Sequence, residues 1–119
     1  MKKIIVAIVL IVCNSLLAQV QFEAKVSKTT LGLNERLRID FVMNMDGDNF
    51  NQPSFEGFRV IAGPSQQVSQ SWVNGKSSFE KIYSYYLLPQ QKGNLIIKQA
   101  TIEYNGQIYK TNPVKINVT

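Results

Sequence analysis

The side chains that most often carry out catalysis are nearly absent from this sequence. Its 119 residues contain no histidine and a single cysteine, Cys13. Histidine is the usual base near pH 7, a cysteine thiolate is a common nucleophile, and both are the usual ligands of zinc. No spacing among the eight acidic residues marks the carboxylate pair that a glycosidase needs. We therefore expect a protein that is not an enzyme, with no catalytic residues, no cofactor and no metal site.

An acidic segment at residues 44–49 is the pattern that comes nearest to a calcium site. An EF-hand loop needs oxygen ligands at alternating positions, a glycine at the sixth and a glutamate at the twelfth. Counted from Asn44 the twelfth residue is Phe55, and counted from Asp46 it is Gly57. Neither count fits, so the segment is interpreted as a loop of turn-forming residues.

Trp72 is the single tryptophan, and it precedes an Asn74-Gly75 dipeptide by two residues. A tryptophan near a hairpin tip is either an exposed anchor for a partner or a cross-strand neighbour that packs over the sheet, and the sequence leaves both open. Trp72, Asn74 and Lys76 are the candidate partner-contact residues. The tyrosines within residues 83–86 fit a packed core, with stacking on a sugar ring as the alternative.

The N-terminus has the three parts of a secretory signal. Lys2 and Lys3 form a basic start, an apolar run follows to Leu17, and Ala18 is a small residue before a cut. We expect a signal peptide at residues 1–18 and an exported domain at residues 19–119. An uncleaved anchor would need roughly 20 apolar residues, and Asn14 interrupts this shorter run. A lipidated Cys13 would normally follow a small residue, where this chain has valine.

The basic residues are scattered rather than clustered. The net charge is +5, but no stripe of lysines and arginines forms the footprint of a nucleic-acid-binding protein. A solvated, slightly basic surface with no nucleic-acid partner is the prediction.

Short alternating runs between turn residues predict an all-β fold. Residues 29–34 are interpreted as a turn region, residues 36–43 alternate most clearly, and residues 44–53 are interpreted as a polar loop. Residues 58–61 form a short strand that Gly63-Pro64 ends. Asn74-Gly75 predicts a hairpin between residues 66–73 and 77–88, and Asn105-Gly106 predicts a second one.

About eight or nine strands with frequent turns are typical of an immunoglobulin-like two-sheet β-sandwich, here preceded by a signal helix. A closed barrel is the alternative. Residues 82–88 carry apolar side chains on both faces, which predicts a central strand. The chain stops at the end of a strand, and we expect it to be one domain of a longer protein.

Short blocks distributed over nearly all of residues 19–119 carry a further signal. The blocks are residues 22–30, 55–60, 71–76, 83–87, 100–103, 109–113 and 114–118, together with Gly32, Gly63-Pro64, Pro89 and Lys92-Gly93. Each block is short, but in this order they resemble the BatD family, envelope proteins of the Bat aerotolerance operon.

The resemblance implies a non-catalytic scaffold in a membrane complex linked to oxygen tolerance. It implies immunoglobulin-like domains in the periplasm or on the periplasmic face of the inner membrane, with von Willebrand A-type membrane proteins and a MoxR-type ATPase as partners. The sequence lacks the family's later domains and C-terminal membrane helix, so membrane association is expected through segments absent from this chain. A secreted carbohydrate-binding or adhesin-type sandwich is the alternative function.

Overall fold

The computed structural model describes residues 19–119, so the predicted signal peptide at residues 1–18 lies outside the described residues. The described part is built from strands in chain order. They are β1 (Phe22–Val26), β2 (Thr30–Leu31), β3 (Leu37–Met43), β4 (Asp48–Asn51), β5 (Phe58–Val73), β6 (Lys76–Pro89), β7 (Gly93–Ile97), β8 (Thr101–Tyr104), β9 (Gln107–Lys110) and β10 (Val114–Val118).

One layer is a four-stranded antiparallel sheet in the order β1-β3-β6-β5. Strand β3 shows why it forms, because its apolar residues alternate with Arg38 and Asp40. Leu37, Ile39 and Phe41 are fully buried, as the period-2 pattern requires of a half-buried strand. Strand β6 lies between β3 and β5, which confirms the predicted central strand.

The opposite layer is divided into two three-stranded sheets, β2-β10-β7 and β4-β8-β9. Their buried side chains complete one core with those of the four-stranded sheet; they include Leu31, Leu95, Ile97, Ile102, Ile116 and Val118. The all-β, sandwich-like fold predicted from the alternation is confirmed, and the division of the second layer is the added detail.

Two side chains between β9 and β10 bond to backbone groups elsewhere in the fold: Thr111 within the second layer, and Asn112 across to β1 of the four-stranded sheet. Thr111 is buried, and its Oγ1 accepts the Ala100 N–H at 2.9 Å while its own N–H donates to the Ala100 carbonyl at 3.0 Å. The Asn112 Oδ1 accepts the Ala24 N–H at 3.1 Å. These bonds satisfy the N–H groups of Ala100, which lies between β7 and β8, and of Ala24, on the edge strand β1.

Both predicted tight hairpins are present. Asn74 and Gly75 have φ of 52° and 77°, and Asn105 and Gly106 have φ of 52° and 76°. Positive φ at both central positions is the type I′ geometry, whose twist matches that of the flanking strands.

The predicted strand break at Gly63-Pro64 is wrong. The chain continues as one sixteen-residue strand, β5, which includes this dipeptide. Its pairing with β6 shifts register between Val60 and Ala62 and again between Ala62 and Ser65. Gly63 adopts φ 104°, and a Cβ there would lie 2.5 Å from the Ser84 carbonyl oxygen. The dipeptide is a β-bulge within a strand, because glycine lets the two backbones approach closely.

The predicted polar loop at residues 44–53 and the predicted turn at residues 29–34 also need correction. The first contains β4, which pairs with β8, and the second contains β2, which pairs in parallel with β10. Both strands lie at sheet edges, where one side of the backbone is free and polar side chains are tolerated. Their sequences therefore carry little apolar alternation.

Replacing Gly63 by alanine should destabilise the domain much more than replacing Gly75 by alanine. Both residues have positive φ, which costs an alanine about 1–2 kcal/mol. Only Gly63 faces a backbone atom, whereas nothing lies within 4 Å of a Cβ at Gly75. We expect Gly63→Ala to lower the free energy of unfolding by about 3 kcal/mol or more, measured by urea denaturation. Equal losses in the two variants would contradict this account of the bulge.

Replacing Thr111 by valine should cost about 1–3 kcal/mol of unfolding free energy. The substitution keeps the side-chain shape but removes the acceptor of the buried Ala100 N–H bond. Thr111→Ser, which retains the hydroxyl, is the control for this bond. A valine variant as stable as the wild type in urea denaturation would show that the hydrogen bond contributes nothing.

Candidate protein-contact site

The most prominent surface feature is the far half of the β5–β6 hairpin. Strand β6 pairs with β3 only from Lys81 to Leu87, but its pairing with β5 continues to Val73–Lys76. Residues 69–80 therefore form a two-stranded ribbon. Together with residues 66–68, which continue the free edge of β5, we call this ribbon the arm. It accounts for the elongated dimensions of 65 × 31 × 26 Å.

The arm exposes large apolar side chains. Trp72 is 71% exposed, Val73 64% and Val68 53%. Such residues ordinarily lie in the interior, and here three of them occur within six consecutive positions. Their clustering on a projecting ribbon is typical of a surface that contacts another protein.

The three predicted contact residues lie at the tip of the arm but point in different directions. Trp72 is opposite Ser77, and Val73 is opposite Lys76. Because side chains alternate along a strand, Trp72 and Lys76 occupy opposite faces of the ribbon, with Asn74 in the turn between them. The structure thus brings Trp72, Asn74 and Lys76 to one tip without forming a single surface from them.

The face that carries Trp72 continues the core-facing side of the sheet. Cross-strand pairs join Trp72 to Ser77, Gln70 to Phe79 and Val68 to Lys81, and the next pair includes Tyr83, which packs against the core. Within the described residues no second layer covers this face beyond Lys81. Its apolar side chains therefore lie on the face that is buried in the sandwich, but in the arm no second layer covers them.

A polar and aromatic cluster closes the core where the arm begins. Lys81 Nζ lies 3.1 Å from Asp46 Oδ1 and 5.4 Å from the ring of Tyr83, and that ring stacks on Phe50 at 4.2 Å. Desolvation disfavours the charged lysine, but hydrogen bonding to Asp46 and Tyr83 outweighs it and raises the pKa of Lys81. Lys81 therefore stays charged and places a polar boundary between the buried core and the exposed arm.

The tyrosines considered for sugar stacking are largely withdrawn from solvent. Tyr85 is 1% exposed. Desolvation is the main cause that raises its pKa, and the electrostatic interaction with Tyr83 is a smaller cause in the same direction. Tyr83 is covered by Phe50. Only Tyr86, at 39% exposure, remains on the surface of β6. The tyrosines of residues 83–86 therefore form no continuous ring platform for a carbohydrate.

The acidic side chains do not converge on a cavity. Four of them form ion pairs: Glu35 with Lys28, Asp40 with Arg38, Asp46 with Lys81 and Glu56 with Lys98. Within residues 19–119, no group of three or more His, Cys, Asp or Glu side chains is placed to hold a metal ion.

A cleft of about 380 Å³ lies at one end of the sandwich. Its lining contains no acidic or basic side chain; it consists of Gln19, Val20, Asn44, Met45, Tyr104, Asn105 and Tyr109. It therefore brings no carboxylate, lysine or arginine to a bound molecule.

Sequence reasoning found the tip of the arm but missed its length and two of its exposed residues, Val68 and Val73. The expected break at Gly63-Pro64 concealed the length. A usable signal existed in the absence of any charged residue between Arg59 and Lys76, combined with only three large apolar residues, Val68, Trp72 and Val73, within residues 62–75. A core strand is apolar on one face, and a protected edge strand carries charged residues. This segment has neither feature.

Within residues 19–119, no helix is long and apolar enough to span a membrane. Neither the search of curated proteins nor the search of solved structures found a match. The family model described as "BatD DUF11 like domain" matches residues 24–118. That range extends from β1 to the end of β10 and includes the whole arm, so this chain belongs to the BatD family.

Proposed function

We propose that this chain is a non-catalytic, exported protein-interaction domain that contacts other envelope proteins through its arm. The observation that carries the proposal is the projecting β5–β6 ribbon with Trp72, Val68 and Val73 on its surface. Keeping such side chains in water is unfavourable, and a partner that covers them removes this cost. Aromatic side chains on rigid supports are the usual anchors of protein interfaces.

Family membership supports a place at the cell envelope. The basic start, the apolar run and the small residue Ala18 support export, because they have the layout of a secretory signal. The resemblance to BatD proteins suggests von Willebrand A-type membrane proteins as partners in a complex linked to oxygen tolerance. Membrane association would come through those partners or through segments beyond these residues.

A scaffold role agrees with the chemistry available on the surface. The chain has no histidine, half of its acidic side chains are held in ion pairs, and the cleft is lined by uncharged residues. What the arm offers instead is apolar surface and unpaired strand edges, both of which recognise proteins rather than transform substrates.

Binding to a von Willebrand A-type envelope protein should depend on Trp72. We expect Trp72→Ala to weaken binding at least about tenfold, because truncating a buried aromatic anchor typically costs 2 kcal/mol or more. Affinity is measured by titrating the chain against the purified von Willebrand A domain encoded by the same organism.

Ile108→Ala is the matched control, since Ile108 is similarly exposed (65%) but lies on β9, outside the arm. The proposal fails if the wild type does not bind, or if the two variants bind equally well.

Export should remove the N-terminal segment. We expect the mass of the protein recovered from the periplasmic fraction to correspond to a chain that begins at Gln19, or one or two residues later. Replacing Lys2 and Lys3 by glutamate should retain the precursor in the cell, because the basic start is a required part of the signal. An intact N-terminus on periplasmic protein would contradict cleavage, and absence from the periplasm would contradict export.

A further inference from the structure

The two edges of the arm differ in a way that bears on what can pair with it. The outer edge of β5 pairs with no other described strand, and its residues from Ser65 to Val73 include no charge and no proline. The opposite edge of the arm carries Lys76 and Glu80. Charged residues and prolines are the usual protection of an exposed edge. The edge of β5 is thus left open to strand addition.

The hairpin turn determines which backbone groups are free on that edge. In a two-residue turn the carbonyl of Val73 accepts the N–H of Lys76, so Val73 faces β6. The register is regular from Val73–Lys76 to Ser65–Ser84. Because hydrogen-bonded and non-hydrogen-bonded positions alternate in an antiparallel pair, the outward N–H and C=O groups belong to Gln66, Val68, Gln70 and Trp72.

We infer that the arm pairs with the arm of a second copy of this chain, through antiparallel addition of β5 to β5 about a two-fold axis at Gln70. This inference deepens the proposed function, since it takes the arm as a contact surface and names one occupant. Residues with outward N–H and C=O groups on one copy must lie opposite residues with outward N–H and C=O groups on the other, because only these groups are free to form hydrogen bonds. With Gln70 opposite Gln70 of the second copy, Val68 of each copy lies opposite Trp72 of the other.

This register is favoured by the side chains. It places the exposed Val68 and Trp72 (53% and 71%) against each other twice, and aromatic–β-branched pairs of this kind stabilise antiparallel sheets. Shifting the axis to Ser69 would place Trp72 opposite Gln66 and Val68 opposite Gln70, leaving each apolar side chain beside an amide. Because the edge is uncharged, no register brings like charges together.

The shape of the chain also permits this pairing. In the inferred register the turn residue Asn74 of one copy lies opposite Gln66 of the other. The overlap therefore reaches only three residues of β5, 66–68, that lie beside the doubly paired part of β6, and the two bodies lie at opposite ends. The product is a four-stranded sheet with about six new backbone hydrogen bonds, in place of two isolated two-stranded ribbons, which are marginally stable alone.

Charge substitutions at the axis test the inference. Gln70→Lys places two lysines directly opposite each other, and Gln70→Glu does the same with two carboxylates, which opposes pairing. By sedimentation equilibrium of the full chain we expect reversible dimers for the wild type and at least tenfold weaker self-association for each variant alone. An equimolar mixture of the two should restore dimers, because lysine then faces glutamate.

Gln67→Lys is the matched control, since Gln67 is on the same strand but lies opposite Val73 of the second copy. It should dimerise like the wild type. Thermal unfolding of all variants checks that each is folded.

A cysteine pair tests the register itself. In a background with Cys13→Ser, Gln70→Cys should form a disulfide-linked dimer under mild oxidation, because its Cα atoms are about 5.5 Å apart across the axis. Val68→Cys should not, because four residues of offset separate the two cysteines by about 14 Å. Equal cross-linking of both variants would overturn the register.

A wild type that stays monomeric up to millimolar concentration, or charge variants that do not recover on mixing, would overturn self-pairing. If Trp72→Ala still loses the von Willebrand A partner in that case, the proposed function stands and only the second copy is excluded as occupant. If dimers form as expected while no envelope protein binds, the self-pairing holds without the proposed function.

Discussion

The structure depends on how the backbone of β6 is paired along its length. From Lys81 to Leu87 it has a strand on each side, and from Lys76 to Glu80 it has β5 alone. Backbone N–H and C=O groups must be bonded or solvated, so the change in pairing divides one hairpin into a buried half and a solvated half. The core belongs to the first half, and the contact surface belongs to the second.

The Lys81–Asp46 pair marks this division. A charged lysine on the core-facing side of β6 would be costly deeper in the sandwich, but at the last doubly paired position it reaches an exposed carboxylate. Beyond it the same face continues with Phe79 and the apolar residues of β5. The apolar side chains of the core-facing side thus continue into the arm, where they are exposed to solvent. The arm therefore presents apolar surface without removing side chains from the core.

The sequence was a good guide where a single physical rule decides the outcome. Alternation located β3 and its buried face, and the two Asn-Gly turns located both tight hairpins, because only residues that accept positive φ fit there.

Prediction from the sequence failed where tertiary context overrides a local signal. Gly63-Pro64 looks like a strand end, but the close approach of Ser84 makes it a bulge. β2 and β4 have no pattern of their own, since their partners, β10 and β8, are distant in sequence. Trp72 was found, but whether it is covered depends on where the second layer ends, and no local rule contains that information.

The regular register of the arm has a consequence for how such domains can vary. Between Ser65–Ser84 and Val73–Lys76 every added pair of residues on both strands would lengthen the ribbon by about 7 Å and leave the same residues on the same faces. One residue added to a single strand would instead reverse the faces beyond it. The reach of the arm is thus adjustable in steps of two without any change to the core, and relatives are free to differ in reach while sharing the same body.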